Sequence, residues 1–239
     1  MTAPGVLLFM HLTLSPLNRA LAISAFLGVL AAAPLLAQTN APAISPTHRI
    51  DLFDGKTLDG WKIVTKTAPT NGQPEWSVHD GVIACAGRPA GYARTLEHYR
   101  DYQLHVEWRW PKGPGNSGVF LHLSGPDKVW PLCFEAQLLA GDAGTLRMNG
   151  GALVKELTTA DPKDNSRRTP GTEKPPGEWN SYDITCRSNT VTLRVNGVLQ
   201  SESTEASIQS GAIALQAEGK LVEFRNIFIE PLSASKAAK

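Results

Sequence analysis

Between Leu104 and Leu138 the chain alternates apolar and polar residues in three short runs separated by turn-forming residues. In the first run Leu104, Val106, Trp108 and Trp110 alternate with His105, Glu107 and Arg109. Successive side chains of a strand point to opposite faces, so this run predicts a strand with one apolar and one charged face. A turn rich in Gly and Pro follows and ends in Gly115-Asn116-Ser117-Gly118. The second run, Val119 to Ser124, sets Val119, Leu121 and Leu123 against Phe120 and His122. The third sets Leu132, Phe134, Ala136 and Leu138 against Cys133, Glu135 and Gln137. If the three strands are neighbours, His105, Glu107, Arg109, His122, Glu135 and Gln137 share one sheet face.

The rest of the chain carries the same two-residue period. Trp76 to Val78 and Val82 to Ala84 flank Asp80-Gly81, and Thr190 to Val195 turns at Asn196-Gly197 into Val198-Leu199. Both dipeptides tolerate positive φ and predict tight hairpins. Tyr92 to Leu96, Trp179 to Arg187, Gly211 to Ala217 and Val222 to Pro231 complete the strand candidates. No long apolar period of 3.6 residues occurs after the first forty residues. The pattern predicts an all-β domain, a two-sheet jelly-roll sandwich. From Gly141 to Glu178 the alternation dissolves into Gly, Pro and mixed charges, including Arg167 and Arg168. Such a stretch reads either as a lid over the polar face or as a solvated excursion.

Charge narrows the partners. Lys and Arg number 23 against 22 Asp and Glu, so no basic excess points to nucleic acid or a membrane surface. Arg19 precedes an apolar run, Ala20 to Leu36, which small Ala37 closes before polar Gln38-Thr39-Asn40. That order is a secretory signal's; Pro34 and the small-residue site favour it over a membrane anchor, the alternative for a run of this length. The expected organisation is a signal peptide over 1–37, a linker over 38–47, one domain over 48–232 and a tail over 233–239. A periplasmic or secreted location follows, with no membrane insertion after cleavage. Cys85, Cys133 and Cys186 lie in strand-like runs and read as buried thiols. No ligand spacing suits a metal, and no cofactor is expected.

A solvated sheet face is ordinarily polar, which is the plain reading of the charged positions. Their kind argues for more: His, Arg, Gln and two carboxylates beside Phe120 suit a small polar ligand.

Several motifs follow one another in the order of a known family. They are Phe53-Asp54-Gly55-Lys56, Gly60-Trp61, Trp76 with Asp80-Gly81-Val82-Ile83, Gly115 to Phe120, Glu135 to Leu138, Pro175 to Asn180, and Val222 to Ile227. The chain resembles the 3-keto-disaccharide hydrolase domain family over residues 48 to 232. The resemblance implies a concanavalin- or laminin-G-like jelly roll, export, and action on sugars oxidised at carbon 3, the 3-keto-glycosides. A ketone at carbon 3 acidifies the hydrogen on carbon 2, so a base can remove it and expel the group on carbon 1. Water then adds back, giving net hydrolysis. Such chemistry needs a base, an acid and donors for the enolate oxygen. Glu135 is the expected base or acid and His122 its counterpart, with Glu107 and Arg109 orienting them. Asn116 and Gln137 are expected donors; His105, Phe120, Glu218 and Arg225 are further candidates for substrate contact. Arg225 reads equally as a structural ion-pair partner. Two other readings remain. A carbohydrate-binding module on this fold would need an exposed aromatic platform, from Trp61, Trp130 or Trp179. A retaining β-glucanase resembles E-x-D-x-x-E, and here Glu135-Ala136-Gln137 lacks the Asp.

Overall fold

The computed structural model describes residues 42–68, 75–157 and 169–233. The predicted signal peptide lies outside them. Within the span read as a linker, Ile44 pairs with Tyr99, its N–H donating to the His98 carbonyl at 2.8 Å.

Fourteen strands and no helix make up the described residues. The larger sheet runs β12 (Val198–Ser203), β11 (Thr190–Val195), β10 (Asn180–Arg187), β6 (Tyr102–Arg109), β14 (Val222–Pro231), β4 (Val82–Cys85), β3 (Trp76–His79). β1 (Ile50–Asp51) also pairs with β14. The smaller sheet runs β2 (Trp61–Thr65), β5 (Gly91–Thr95), β13 (Ala212–Ala217), β7 (Gly118–Ser124), β8 (Leu132–Gln137), β9 (Leu146–Asn149). Every pairing between these strands is antiparallel. The jelly-roll class read from the alternation is the observed one.

The core lies between the sheets because each strand commits one phase to it. Leu104, Val106 and Trp108 of β6, Tyr182 and Ile184 of β10, and Phe224 and Ile229 of β14 face Val119, Leu121, Phe134, Ala136, Ile213 and Leu215 across the gap. Burying each larger aliphatic side chain contributes about 1.5–3 kcal/mol, so the inward phase dictates register. Both predicted hairpins form. Asp80 and Gly81 turn β3 into β4 at φ 52° and 77°, and Asn196 and Gly197 turn β11 into β12 at 50° and 80°.

One expectation is overturned by the topology. β7 and β8 are neighbours, but β6 belongs to the opposite sheet, so the three runs share no common face. The cause lies in long-range pairing: β6 takes β10 and β14 as partners, and alternation alone does not encode that choice. A second correction concerns β7. Leu121 to Ser124 of β7 spans one residue more than Phe134 to Leu132 opposite, a bulge at which His122 adopts φ 56°. The extra residue reverses the phase. Leu123 joins Phe120 on the outer face, and His122 turns inward, ring edge against Tyr102 at 5.8 Å.

Candidate active site

The outer face of the smaller sheet gathers the chemistry. β13 presents Ala212, Ala214 and Gln216 outward, because Ile213, Leu215 and Ala217 occupy its core phase. Register then aligns Arg94, Ala214, Phe120, Glu135 and Arg147 across five strands. The next row carries Tyr92 opposite Gln216 and Gly118 opposite Gln137. Beyond it, where the strands end, Asn116 bridges to Glu218. Gly118 carries no side chain, and the Glu135 side chain occupies the space above it. A Cβ there would come within 2.6 Å of Glu135 Oε1 and 2.7 Å of its Cγ.

Glu135 is 5% exposed. Phe120, Tyr92, Leu123, Cys133, Ala212 and Ala214 form a fully apolar cluster on this same face. Burial pushes the Glu135 carboxyl up to about 7; the Glu218 charge adds to the rise, while Asn149 and Arg147 oppose it. Asn149 Nδ2 donates to Oε2 at 2.8 Å. Glu218 is also raised by burial, against a hydrogen bond from Asn116. Two carboxyl groups thus feel each other at this end of the sheet, one poised near neutrality. That arrangement can accept a proton and return it. A cleft beside Glu218 and Asn116 is rimmed by Arg88, Leu139 and Lys220. On the far side Asp127 is clamped by Arg94 at 2.7 Å and Lys62 at 2.8 Å, which holds its carboxyl down at about 2.

The structure brings together Glu135, Glu218, Asn116, Gln137 and Phe120 of the residues named from sequence. Gln137 Oε1 accepts from the Leu138 and Leu139 N–H groups at 2.9 and 2.8 Å, so that end of the amide is committed to the strand's exit. His105, Glu107, Arg109 and Arg225 lie on the outer face of the other sheet. There Arg225 pairs with Glu107 at 2.6 Å, Arg109 with Glu223, and His105 with Asp183 at 2.7 Å. Both arginines lie over the Trp179 ring, at 4.0 and 4.6 Å. The charges of these residues are satisfied by one another, although shallow clefts beside His105 and beside Glu107 open on this face. His122 is 1% exposed and its Nδ1–H donates to the Ile208 carbonyl at 3.0 Å; burial lowers it to about 4. It does not face Glu135, and the second carboxyl acting on Glu135 is Glu218.

Asn149, Arg147, Gln216 and Tyr92 escaped the sequence reading. Leu146–Asn149 alternates over only four residues and ends in Gly150-Gly151, so it reads as turn rather than strand. The described part of the region between 141 and 178 is pinned to the body: Glu173 accepts from Gly141 N at 2.6 Å, and Thr172 Oγ1 donates to the Val195 carbonyl at 2.8 Å. Residues 158–168, with Arg167 and Arg168, lie outside the described residues.

A 3-keto-disaccharide hydrolase from Bacteroides thetaiotaomicron is 28% identical in an alignment of length 163 that covers 59% of this chain and 53% of that protein. The chain therefore matches about half the length of this curated relative. A protein from Parabacteroides distasonis, classed among glycosyl hydrolases, superposes with a TM-score of 0.58 at 24% identity, covering 78% of this chain and 94% of that one. The carbohydrate-binding module CBM66 from Bacillus subtilis superposes at 0.53 with 12% identity, covering 72% and 95%. These two likenesses show the sandwich fold alone. The family model described as a 3-keto-alpha-glucoside-1,2-lyase-like domain matches residues 48–230, most of the chain and nearly all of the sandwich, and the chain belongs to that family.

Proposed function

We propose that this protein cleaves 3-keto-glycosides by elimination and hydration on the outer face of the smaller sheet. The observation that carries the reading is Glu135, a buried carboxyl near pKa 7 beside a second raised carboxyl, Glu218. In its ionised form Glu135 takes the carbon-2 proton, and the electron pair moves into a carbon-2–carbon-3 enolate. The enolate collapses, the carbon-1–oxygen bond breaks, and protonated Glu218 supplies the leaving oxygen with its proton. Water adding across carbons 1 and 2 of the resulting enone completes net hydrolysis. Asn116 holds Glu218, and Asn149 holds Glu135, so each acid–base group is oriented by an amide. Family membership and the Bacteroides relative support the substrate class. We also infer export to the periplasm or medium, from the charged, apolar and small-residue order of the leader.

Trp130, 49% exposed, favours the binding-module reading. The other two candidates for a platform are taken: Trp61 is buried with Nε1 donating to the Leu52 carbonyl at 2.6 Å, and Trp179 is covered by arginines. Purified protein assayed on 3-keto-glucosides and on the parent glucosides decides the matter. Cleavage of the keto sugars alone is expected. Binding without turnover of either would replace the enzyme reading with the module.

A further inference from the structure

We propose that Gln216 is the group that recognises the oxidised carbon 3 and stabilises the enolate oxygen. The inference rests on the functional reading above and extends it to a residue no motif pointed to. Gln216 lies in the outer phase of β13, opposite Tyr92 on one side and next to Gly118 on the other. It is 2% exposed, yet neither Nε2 nor Oε1 has a hydrogen-bond partner. Leaving a buried polar atom unpaired costs about 1–3 kcal/mol, and here two such atoms share one side chain. On the side away from Tyr92 its neighbours are small: Ala214 on its own strand and Gly118 beside it, over which the Glu135 carboxyl extends. The amide therefore lies in the outer phase of the same sheet as Glu135, with both of its polar atoms uncommitted.

A carboxamide offers a donor and an acceptor side by side. An oxidised sugar offers the complement: an acceptor-only carbonyl at carbon 3 and a hydroxyl donor on the adjoining carbon. Nε2–H donates to the carbon-3 oxygen, and Oε1 accepts from the neighbouring hydroxyl. When Glu135 removes the carbon-2 proton, negative charge collects on that carbon-3 oxygen, and the donor strengthens as it does so. The apolar cluster of Tyr92, Phe120 and Leu123 limits competing water. An unoxidised sugar can fill the same bonds in the ground state but develops no enolate, so the residue acts on turnover more than on affinity.

The test uses Gln216→Leu, of similar shape without polar atoms, and Gln216→Glu, which replaces the donor by an acceptor. Two rates are read: cleavage of a 3-keto-glucoside, and deuterium uptake at carbon 2 of 3-keto-1,5-anhydroglucitol, which has no leaving group. Both variants are expected to lose ~10²–10³-fold in kcat and in exchange, as for removal of one oxyanion donor, with KM changed far less. Gln216→Leu is expected to melt no lower than the parent, because it removes two unpaired buried atoms. A loss of activity matched by a loss of melting temperature marks a structural role and overturns the assignment. An active parent with an equally active Gln216→Leu overturns it alone. A parent that neither cleaves nor exchanges overturns this assignment together with the functional reading.

Discussion

Glu135 and His122 are both buried, and burial moves their ionisation in opposite directions. Glu135 rises from an ordinary 4.5 to about 7. Between those values the unfolded chain gives up a proton that the folded protein keeps, so stability falls as pH rises through the window. Glu135→Gln removes that slope: the variant should melt higher than the parent at pH 8 and alike at pH 4, by up to about 3 kcal/mol. Its turnover should fall by about 10²–10⁴-fold, the ordinary contribution of an acid–base group. His122 falls from 6.5 to about 4, so the folded protein refuses a proton that the unfolded chain accepts. Stability is then lost as pH drops through that range. His122→Asn tolerates the positive φ and should flatten the acid limb of a melting-temperature profile, whatever its constant cost. The outward phase of Glu135 was legible in L-C-F-E-A-Q. Its burial was not, because the groups around it include Asn149 of β9, a run that reads as turn, and Glu218, which lies just past β13 and far along the chain.

At the scale of the strand, one extra residue decides which side chains meet. Strict alternation holds in β6 and β8, where the apolar and polar phases fall as read. In β7 the bulge at His122 exchanges the destinations of His122 and Leu123, and no signal in V-F-L-H-L-S marks it. Gly211 opposite shows how tightly that bulge is held: a Cβ there would lie 2.3 Å from the His122 carbonyl carbon. Gly118 sits in the same strand under the Glu135 carboxyl. Gly118→Ala should displace Glu135, costing about 1–3 kcal/mol from overpacking and roughly 10²-fold in rate from misplacement of the order of an ångström. Kinetics alongside thermal melting would separate the two effects. On the other sheet, Glu107→Gln interrupts the partly exposed pair with Arg225 and should cost no more than about 1 kcal/mol. Turnover by that variant should match the parent's; a large loss would return catalysis to the larger sheet.

Taken whole, the sandwich separates two polar faces by one shared core, and the smaller sheet's face holds Glu135, a buried carboxyl bonded to the Asn149 amide. The class of fold was legible because nearly every strand carries its own period. The division of strands between sheets was not, since it is fixed by pairings such as Arg109 with Glu223, 114 residues apart. The leader can be tested at this scale too: sequencing the mature N-terminus from culture fractions should find it near Gln38 outside the cytoplasm, and an uncut cytoplasmic chain would end the export reading. The placement of β14 has a consequence for synthesis. It lies between β6 and β4 and also receives β1, so three strands made much earlier wait for it. A ribosome that has not yet released residues 222–231 carries a nascent chain whose β6 edge is open to any passing strand. Ribosomes stalled shortly before Val222 should hold a chain that protease degrades throughout, whereas stalling well downstream of Pro231 should leave a resistant domain. The polypeptide is committed to folding late, nearly all of it at once.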